Sequence, residues 1–435
     1  MLRSLVSLFS ALLVLAHPLT ARPPNIVLIL ADDMGYGDLA CYGAPDVKTP
    51  HIDQLAKEGV RFTTCYANGP ECTPTRTALL TGRYPQRVGG LECAIGTGNV
   101  GRYEDAIRLA VRSNLGLPAE QSQLAPGLKA AGYRTAIFGK WHLGYETKFN
   151  PLDQGFDRFF GVLGGNCDYF THRELSPLPV LYQDRQPVER DGYMTHLITE
   201  EGVKFIESKQ KEPFFLYLAY TTPHFPFQTP EAEDQVFNED NWTKGPRKDY
   251  ARMVEDLDTQ TGKILQTLKT QGLDKDTVVL FASDHGAMVP GRNLPFSGYK
   301  GGLMEGGIRV PFIARWPDKL KAGTVSDQPC LTIDWTASIL RLAGAKAANG
   351  LDGMDILKHA EEGKSDFSRR LFWRSQRGEK VWRAVREGDL KYILFVNEGD
   401  WEEWFFDLKE DPVEKTNLLS HPDRTDDVAR LKKAL

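Results

Sequence analysis

At 435 residues, 41% of them hydrophobic, the chain has enough apolar material for a large core and more than one domain. A net charge of −5 supplies no overall basic field, which argues against nucleic acid or an anionic membrane as partner but leaves room for a small anion in a locally positive cleft. Six cysteines without a CxxC spacing exclude a disulfide scaffold.

Residues 1–21 read as an export signal. Arg3 precedes an apolar run from Leu5 to Ala16 that is too short to span a bilayer, and small residues at Ala16 and Ala21 precede Arg22-Pro23-Pro24. No later stretch is long and apolar enough to cross a membrane. The mature protein is therefore expected to be exported: periplasmic or secreted, or lysosomal or extracellular in a eukaryote.

From Asn25 the pattern is α/β. Asn25 to Ala31 is a continuous apolar run, the mark of a strand buried on both faces of a parallel sheet, and it ends in Asp32-Asp33. Thr49 caps a helix with Pro50 at its first position. Cys72-Thr73-Pro74-Thr75-Arg76 opens another helix, with Cys72 or Thr73 as cap and Gly82 as terminator. Leu117 to Gly132 reads as a helix, and Tyr133 to Phe138 as a strand leading to Lys140 and His142. Phe214 to Ala219 is a buried strand followed by His224, and Asp249 to Thr270 is a long helix. Thr277 to Ala282 is a further buried strand, ending in Asp284-His285. After a helix from Ile333 to Ala343 the character changes. Short aromatic runs at Phe372-Trp373, Trp382 to Arg386, Lys391 to Phe395 and Trp404 to Leu408 read as antiparallel hairpins before a charged helix from Asp426 to Ala434. The division is expected at 22–345 for the first domain and 346–435 for the second.

Four strands thus deliver reactive side chains just past their carboxyl ends, where ligands bind in open α/β sheets. Asp32, Asp33 and Asp284 are hard oxygen ligands suited to Ca²⁺ or Mg²⁺, and their mutual repulsion in one crevice calls for a cation. His285 beside them suits a softer metal. Lys140, His142, His224 and Lys300 can bind an anion and move protons. Cys72, at the positive end of a helix with Arg76 one turn on, can be a structural thiol, a low-pKa nucleophile or a redox centre.

The stretches Asn25 to Gly37, Cys72 to Arg83, Gly139 to Gly144, Ser283 to Gly286 and Lys300 to Pro311 together resemble the type I sulfatase family of the alkaline phosphatase superfamily, with the CxPxR core followed by LTGR as the most specific signal. The resemblance implies a large mixed, mostly parallel sheet flanked by helices, with a smaller C-terminal α+β domain of antiparallel strands. It implies that a formylglycine-generating enzyme oxidises Cys72 to formylglycine, whose geminal diol attacks sulfur and then releases sulfate by elimination. Asp32, Asp33, Asp284 and His285 would hold Ca²⁺, in preference to Mg²⁺, together with the residue at 72. Arg76 would orient the diol, and Lys140, His142, His224 and Lys300 would surround the sulfate, with His142 as base and His224 or Lys300 as acid. Thr75 stands where many members carry serine, and His285 where many carry asparagine, which bears on the metal.

The expected activity is hydrolysis of a sulfate ester, on a sulfated small molecule or glycan. A phosphoester or phosphonate monoester hydrolase on the same scaffold is one alternative. Another is a non-catalytic sulfoglycan-binding protein with unconverted Cys72. Tyr169, His172, Arg173, Arg87 and the aromatic C-terminal hairpins are candidates for a sugar subsite, or for packing.

Overall fold

A computed structural model describes residues 22–175, 180–208, 211–347, 350–364 and 368–435. The export-signal reading of residues 1–21 lies outside them. Among the described residues no helix is long and apolar enough to cross a membrane.

The larger sheet has eleven strands. They are β1 (Asn25–Ala31), β2 (Val60–Tyr66), β3 (Arg134–Lys140), β4 (Arg158–Val162), β5 (Leu181–Gln183), β6 (Gln186–Pro187), β7 (Phe214–Ala219), β8 (Thr277–Ser283), β9 (Arg309–Arg315), β10 (Thr324–Ser326) and β11 (Cys330–Leu331). Their order is β10-β2-β9-β8-β1-β7-β3-β4-β5-β6, with β11 also on β2. The centre, β8-β1-β7-β3-β4, is parallel, while β9 runs antiparallel to both β8 and β2. Side chains alternate between the faces of a strand. On β1, Ile26, Leu28 and Leu30 enter one core and Val27, Ile29 and Ala31 the other. Both faces are covered by helices, so each aliphatic side chain contributes about 1.5–3 kcal/mol by leaving water. This is why the strand reads as unbroken apolar sequence.

Four antiparallel strands follow: β12 (Arg370–Arg377), β13 (Lys380–Glu387), β14 (Leu390–Asn397) and β15 (Asp400–Asp407). One face packs Leu371, Trp373, Ile393 and Phe406 onto Tyr66, Leu303, Ile308 and Ile333 of the larger unit. The other face carries Val385, Tyr392 and Phe405 against Val428 and Leu431 of the last helix, Thr425–Ala434. The mixed sheet and the antiparallel C-terminal sheet are as expected.

Two local expectations fail. The helix expected from Leu117 begins only at Leu124, because the Leu117 backbone bonds to Leu143 and to the side chain of Gln154 instead of starting a helical ladder. Neither Cys72 nor Thr73 caps the next element. The helix is Cys72–Thr81 with Glu71 before it and no side-chain cap, since the Thr73 hydroxyl is taken by the carbonyl of His142 and the N–H of Ile95. Gly82, at φ +63°, ends it in the left-handed conformation glycine favours.

Candidate active site

Because β1, β3, β7 and β8 are parallel neighbours, the residues just beyond them open on one crevice. The Cys72–Thr81 helix points its first turn into that crevice. Its position is fixed from below by Arg76, which is buried and donates to the Lys140 carbonyl at 3.0 Å and to Asp284 at 3.1 Å, with Asp32 at 3.4 Å. Asp33 is held at φ +62°. Its N–H donates to Asp284 at 3.2 Å, and its carbonyl accepts from Tyr250 at 2.9 Å.

Cys72 Sγ is the focus. Lys140 Nζ lies 3.1 Å away, His285 Nε2 3.2 Å, Asp32 Oδ1 3.6 Å and Lys300 Nζ 3.8 Å. Lys140 also donates to both oxygens of Asp32, at 2.9 and 2.7 Å. Lys300 does the same to Asp33, at 2.7 and 2.8 Å, and sits 3.2 Å from His224 Nε2. Asp32, Asp33, Cys72, Arg76, Lys140, His224, Asp284, His285 and Lys300 are therefore joined in one network. His142 stands apart from it: its Nε2 donates to the Ile95 carbonyl at 2.9 Å, and its ring borders the same cavity.

A sequence profile described as Sulfatase matches residues 24–345, and a second, described as N-sulphoglucosamine sulphohydrolase, C-terminal, matches residues 299–435. The chain belongs to the sulfatase family. It is similar to rat N-acetylgalactosamine-6-sulfatase, at 36% identity over 88% of this chain and 74% of that one. It is similar to human arylsulfatase A at 34% identity over 94% and 86%. Among solved structures it resembles Ps i-CgsB in complex with k-i-k-neocarrahexaose, with a TM-score of 0.82 and 29% identity over 95% of this chain and 92% of that one.

The electrostatics of this sulfatase crevice differ from the sequence expectation in one respect. The three carboxylates do converge, but Arg76, Lys140 and Lys300 match them charge for charge. Repulsion alone therefore does not demand a metal. The donor set still fits one. Asp32, Cys72, Asp284 and His285 each offer a ligand atom, all within 4.8 Å of one another, and Asp33, Cys72 and His224 form a second such group. His285 Nδ1 donates to the Gly286 carbonyl at 3.0 Å, which turns Nε2 towards Cys72, Asp33 and Asp284, where it would ligate an ion.

Burial pushes Asp284 up to about 7, with Asp32 and Cys72 adding to it. For the Cys72 thiol burial acts upward, but Lys140 and Lys300 outweigh it and bring it down to about 7. Burial, aided by Lys300, takes His224 down to about 3. His142 is held well below its ordinary value by burial and then by Lys140. Both rings are neutral near pH 7, and His142 Nδ1 is a buried lone pair with no partner among the described residues.

A cavity of about 770 Å³ leads outward from Cys72. The suggested sugar subsite of Tyr169, His172, Arg173 and Arg87 is not part of its wall. Tyr169 packs beneath His224, donating to backbone carbonyls. His172 bonds to Gly192, Arg173 pairs with Glu189 and Arg87 with Asp352. The C-terminal hairpins do contribute, through Trp382 and Phe395, with Arg377 and Lys380. Arg102, Arg377 and Lys380 escaped sequence reasoning because nothing local distinguishes them from ordinary surface charges.

Proposed function

We propose that this sulfatase hydrolyses sulfate esters of carbohydrates in an exported compartment, after a formylglycine-generating enzyme has converted Cys72. The observation that supports it is the gathering of Lys140, Lys300, His285 and Asp32 within 3.8 Å of Cys72 Sγ at a helix start. The names of the relatives, an amino-sugar sulfatase and an oligosaccharide-bound protein, point to sugars as the substrate class.

In this reading Asp32, Asp33, Asp284 and His285 hold a divalent cation, Ca²⁺ by preference because oxygen donors dominate. Formylglycine supplies a hydrated aldehyde with two hydroxyls, one to attack sulfur and one to expel sulfate. Lys140 and Lys300 offer their ammonium groups to the sulfate oxygens, and the first turn of the helix adds its positive end. Arg76 fixes the position of residue 72 from below. His142, neutral and with an unpartnered Nδ1, is placed to take a proton. His224 Nε2 accepts from Lys300 Nζ, so the proton available to the leaving alcohol oxygen sits on that lysine. The division into domains at residues 22–345 and 346–435 belongs to the same proposal.

The test uses protein coexpressed with the maturing enzyme and shown by peptide mass spectrometry to carry the aldehyde at position 72. A panel of sulfated saccharides, 4-nitrophenyl sulfate and 4-nitrophenyl phosphate is assayed with Ca²⁺ and after chelation. Preference for sulfate over phosphate, lost on chelation and restored by Ca²⁺, supports the reading. Faster phosphate turnover favours the phosphoesterase alternative, and an intact thiol with glycan binding but no turnover favours the binding protein.

A further inference from the structure

Beyond the sulfate-binding centre, the cavity wall is unusually cationic for a chain of net charge −5. Glu71 is the one carboxylate on that wall among the described residues. It is already matched by Arg377, whose guanidinium bonds both of its oxygens at 3.0 and 2.6 Å. Lys300 is matched by Asp33. Two further cations, Arg102 and Lys380, also line the cavity, and neither has a carboxylate within ion-pair distance among the described residues.

These two come from distant parts of the chain but share one rim. The turn between β12 and β13 donates the Gly378 N–H to the Arg102 carbonyl at 2.6 Å, which ties the hairpin carrying Lys380 to the loop carrying Arg102. The Arg102 guanidinium lies over Gly96, where a Cβ would meet its Nη2 at 3.0 Å, so glycine there leaves it room at the cavity edge. Between this rim and the centre stands Trp382. Its indole lies over Gly302, beside Lys300, and stacks on Phe395 with ring centroids 4.3 Å apart. The path from Cys72 outward is therefore an anion site, an aromatic wall against which a sugar ring can lie, and a pair of unmatched cations.

We propose that Arg102 and Lys380 form a second anion subsite, so that the preferred substrate is a saccharide with another anionic group, a sulfate or a uronic carboxylate, beyond the ester that is cleaved. This rests on the sulfatase reading above and narrows its substrate class. A neutral sugar or an aryl sulfate cannot use the rim.

The test compares the wild-type protein with Arg102→Gln/Lys380→Gln and with Lys380→Glu, all matured at position 72. For each, kcat/KM is measured on a disulfated disaccharide, on a monosulfated disaccharide containing a uronic acid, and on 4-nitrophenyl sulfate. Calorimetry with the disulfated disaccharide on protein with unconverted Cys72 gives affinity without turnover. The ratio of kcat/KM on the doubly anionic sugars to that on the aryl sulfate is expected to fall by about tenfold in the double variant and further in Lys380→Glu, with a parallel loss of affinity. The sugar whose ratio falls more identifies the second group as sulfate or carboxylate. A ratio and an affinity both within twofold of wild type overturn the subsite. Failure of every matured protein to release sulfate from any of the three substrates instead counts against the sulfatase reading, and the calorimetry still judges the rim.

Discussion

Two buried charge clusters, one around Cys72 and one around Glu305 at the start of the short helix Glu305–Ile308, are built on opposite principles. In the first, around Cys72, acids and bases crowd onto a sulfur and open on a cavity. The second joins the two sheets. Lys391 on β14 donates to Glu305 at 2.8 Å and to Glu414 at 2.9 Å, with Lys391 and Glu305 fully buried. Glu305 also accepts from Tyr66 at 2.7 Å and from Arg309 at 3.1 Å, Glu414 accepts the Glu305 N–H at 2.5 Å, and Arg386 bonds the Tyr66 hydroxyl. Lys391, Glu305 and Glu414 are turned inward on one another, and only Arg309 and Arg386 at the edge border a surface pocket, so these three charges serve to hold the two sheets together. Charge pairing by itself therefore says little about function; access and an unspent reactive atom make the difference.

The sharpest way to break the comparison is at its reactive atom. Cys72→Ser keeps the shape of the first cluster but, if residue 72 is the matured nucleophile, should lower sulfate-ester turnover by about 10⁴-fold or more, read as kcat at saturating substrate. A serine variant retaining a tenth of the activity would remove Cys72 from the mechanism.

The joining cluster should respond in stability instead. Lys391→Met leaves two carboxylates buried without their shared cation and should cost about 3–5 kcal/mol in urea unfolding. Combining it with Glu414→Gln should recover part of that loss, because Glu305 keeps Arg309 as its partner and no second carboxylate is left beside it. A double variant no more stable than Lys391→Met would mean that the lysine acts through packing alone.

A smaller effect concerns pH. Burial, with the Glu305 charge adding to it and Lys391 opposing, raises Glu414 from 4.5 to about 7. The folded state therefore holds that proton more tightly than the unfolded one. Its contribution is complete below pH 4.5 and is lost as pH rises towards 7. Glu414→Gln should flatten the fall in melting temperature over that window by the equivalent of one proton. Unchanged slopes would place the titration elsewhere.

Much of this architecture could be read in the chain. The strands β1, β7 and β8 announce themselves because burial on both faces leaves no room for polar residues, and their ends carry the acids and histidines that meet in the crevice. What could not be read depends on partners far away in sequence. The helix start at Leu124 is set by what Leu143 and Gln154 do with the Leu117 backbone. The neutralisation of three aspartates by Arg76, Lys140 and Lys300 emerges only once the strands are aligned. Tyr169 resembled a sugar platform in sequence, yet both acceptors of its hydroxyl are backbone carbonyls beneath His224.

All ten residues from Cys72 to Thr81 are buried, with Cys72 itself 1% exposed. A small molecule can approach the sulfur along the cavity, but another protein cannot grasp the peptide around it without pulling the helix out of the sheet. Any catalyst that must hold this segment as an extended strand has to finish before the fold closes over it. The packing thereby sets a deadline: an enzyme that converts this position by holding the segment extended would have to act during biosynthesis, and a molecule that misses the moment keeps its sulfur beyond that enzyme's reach for as long as it stays folded.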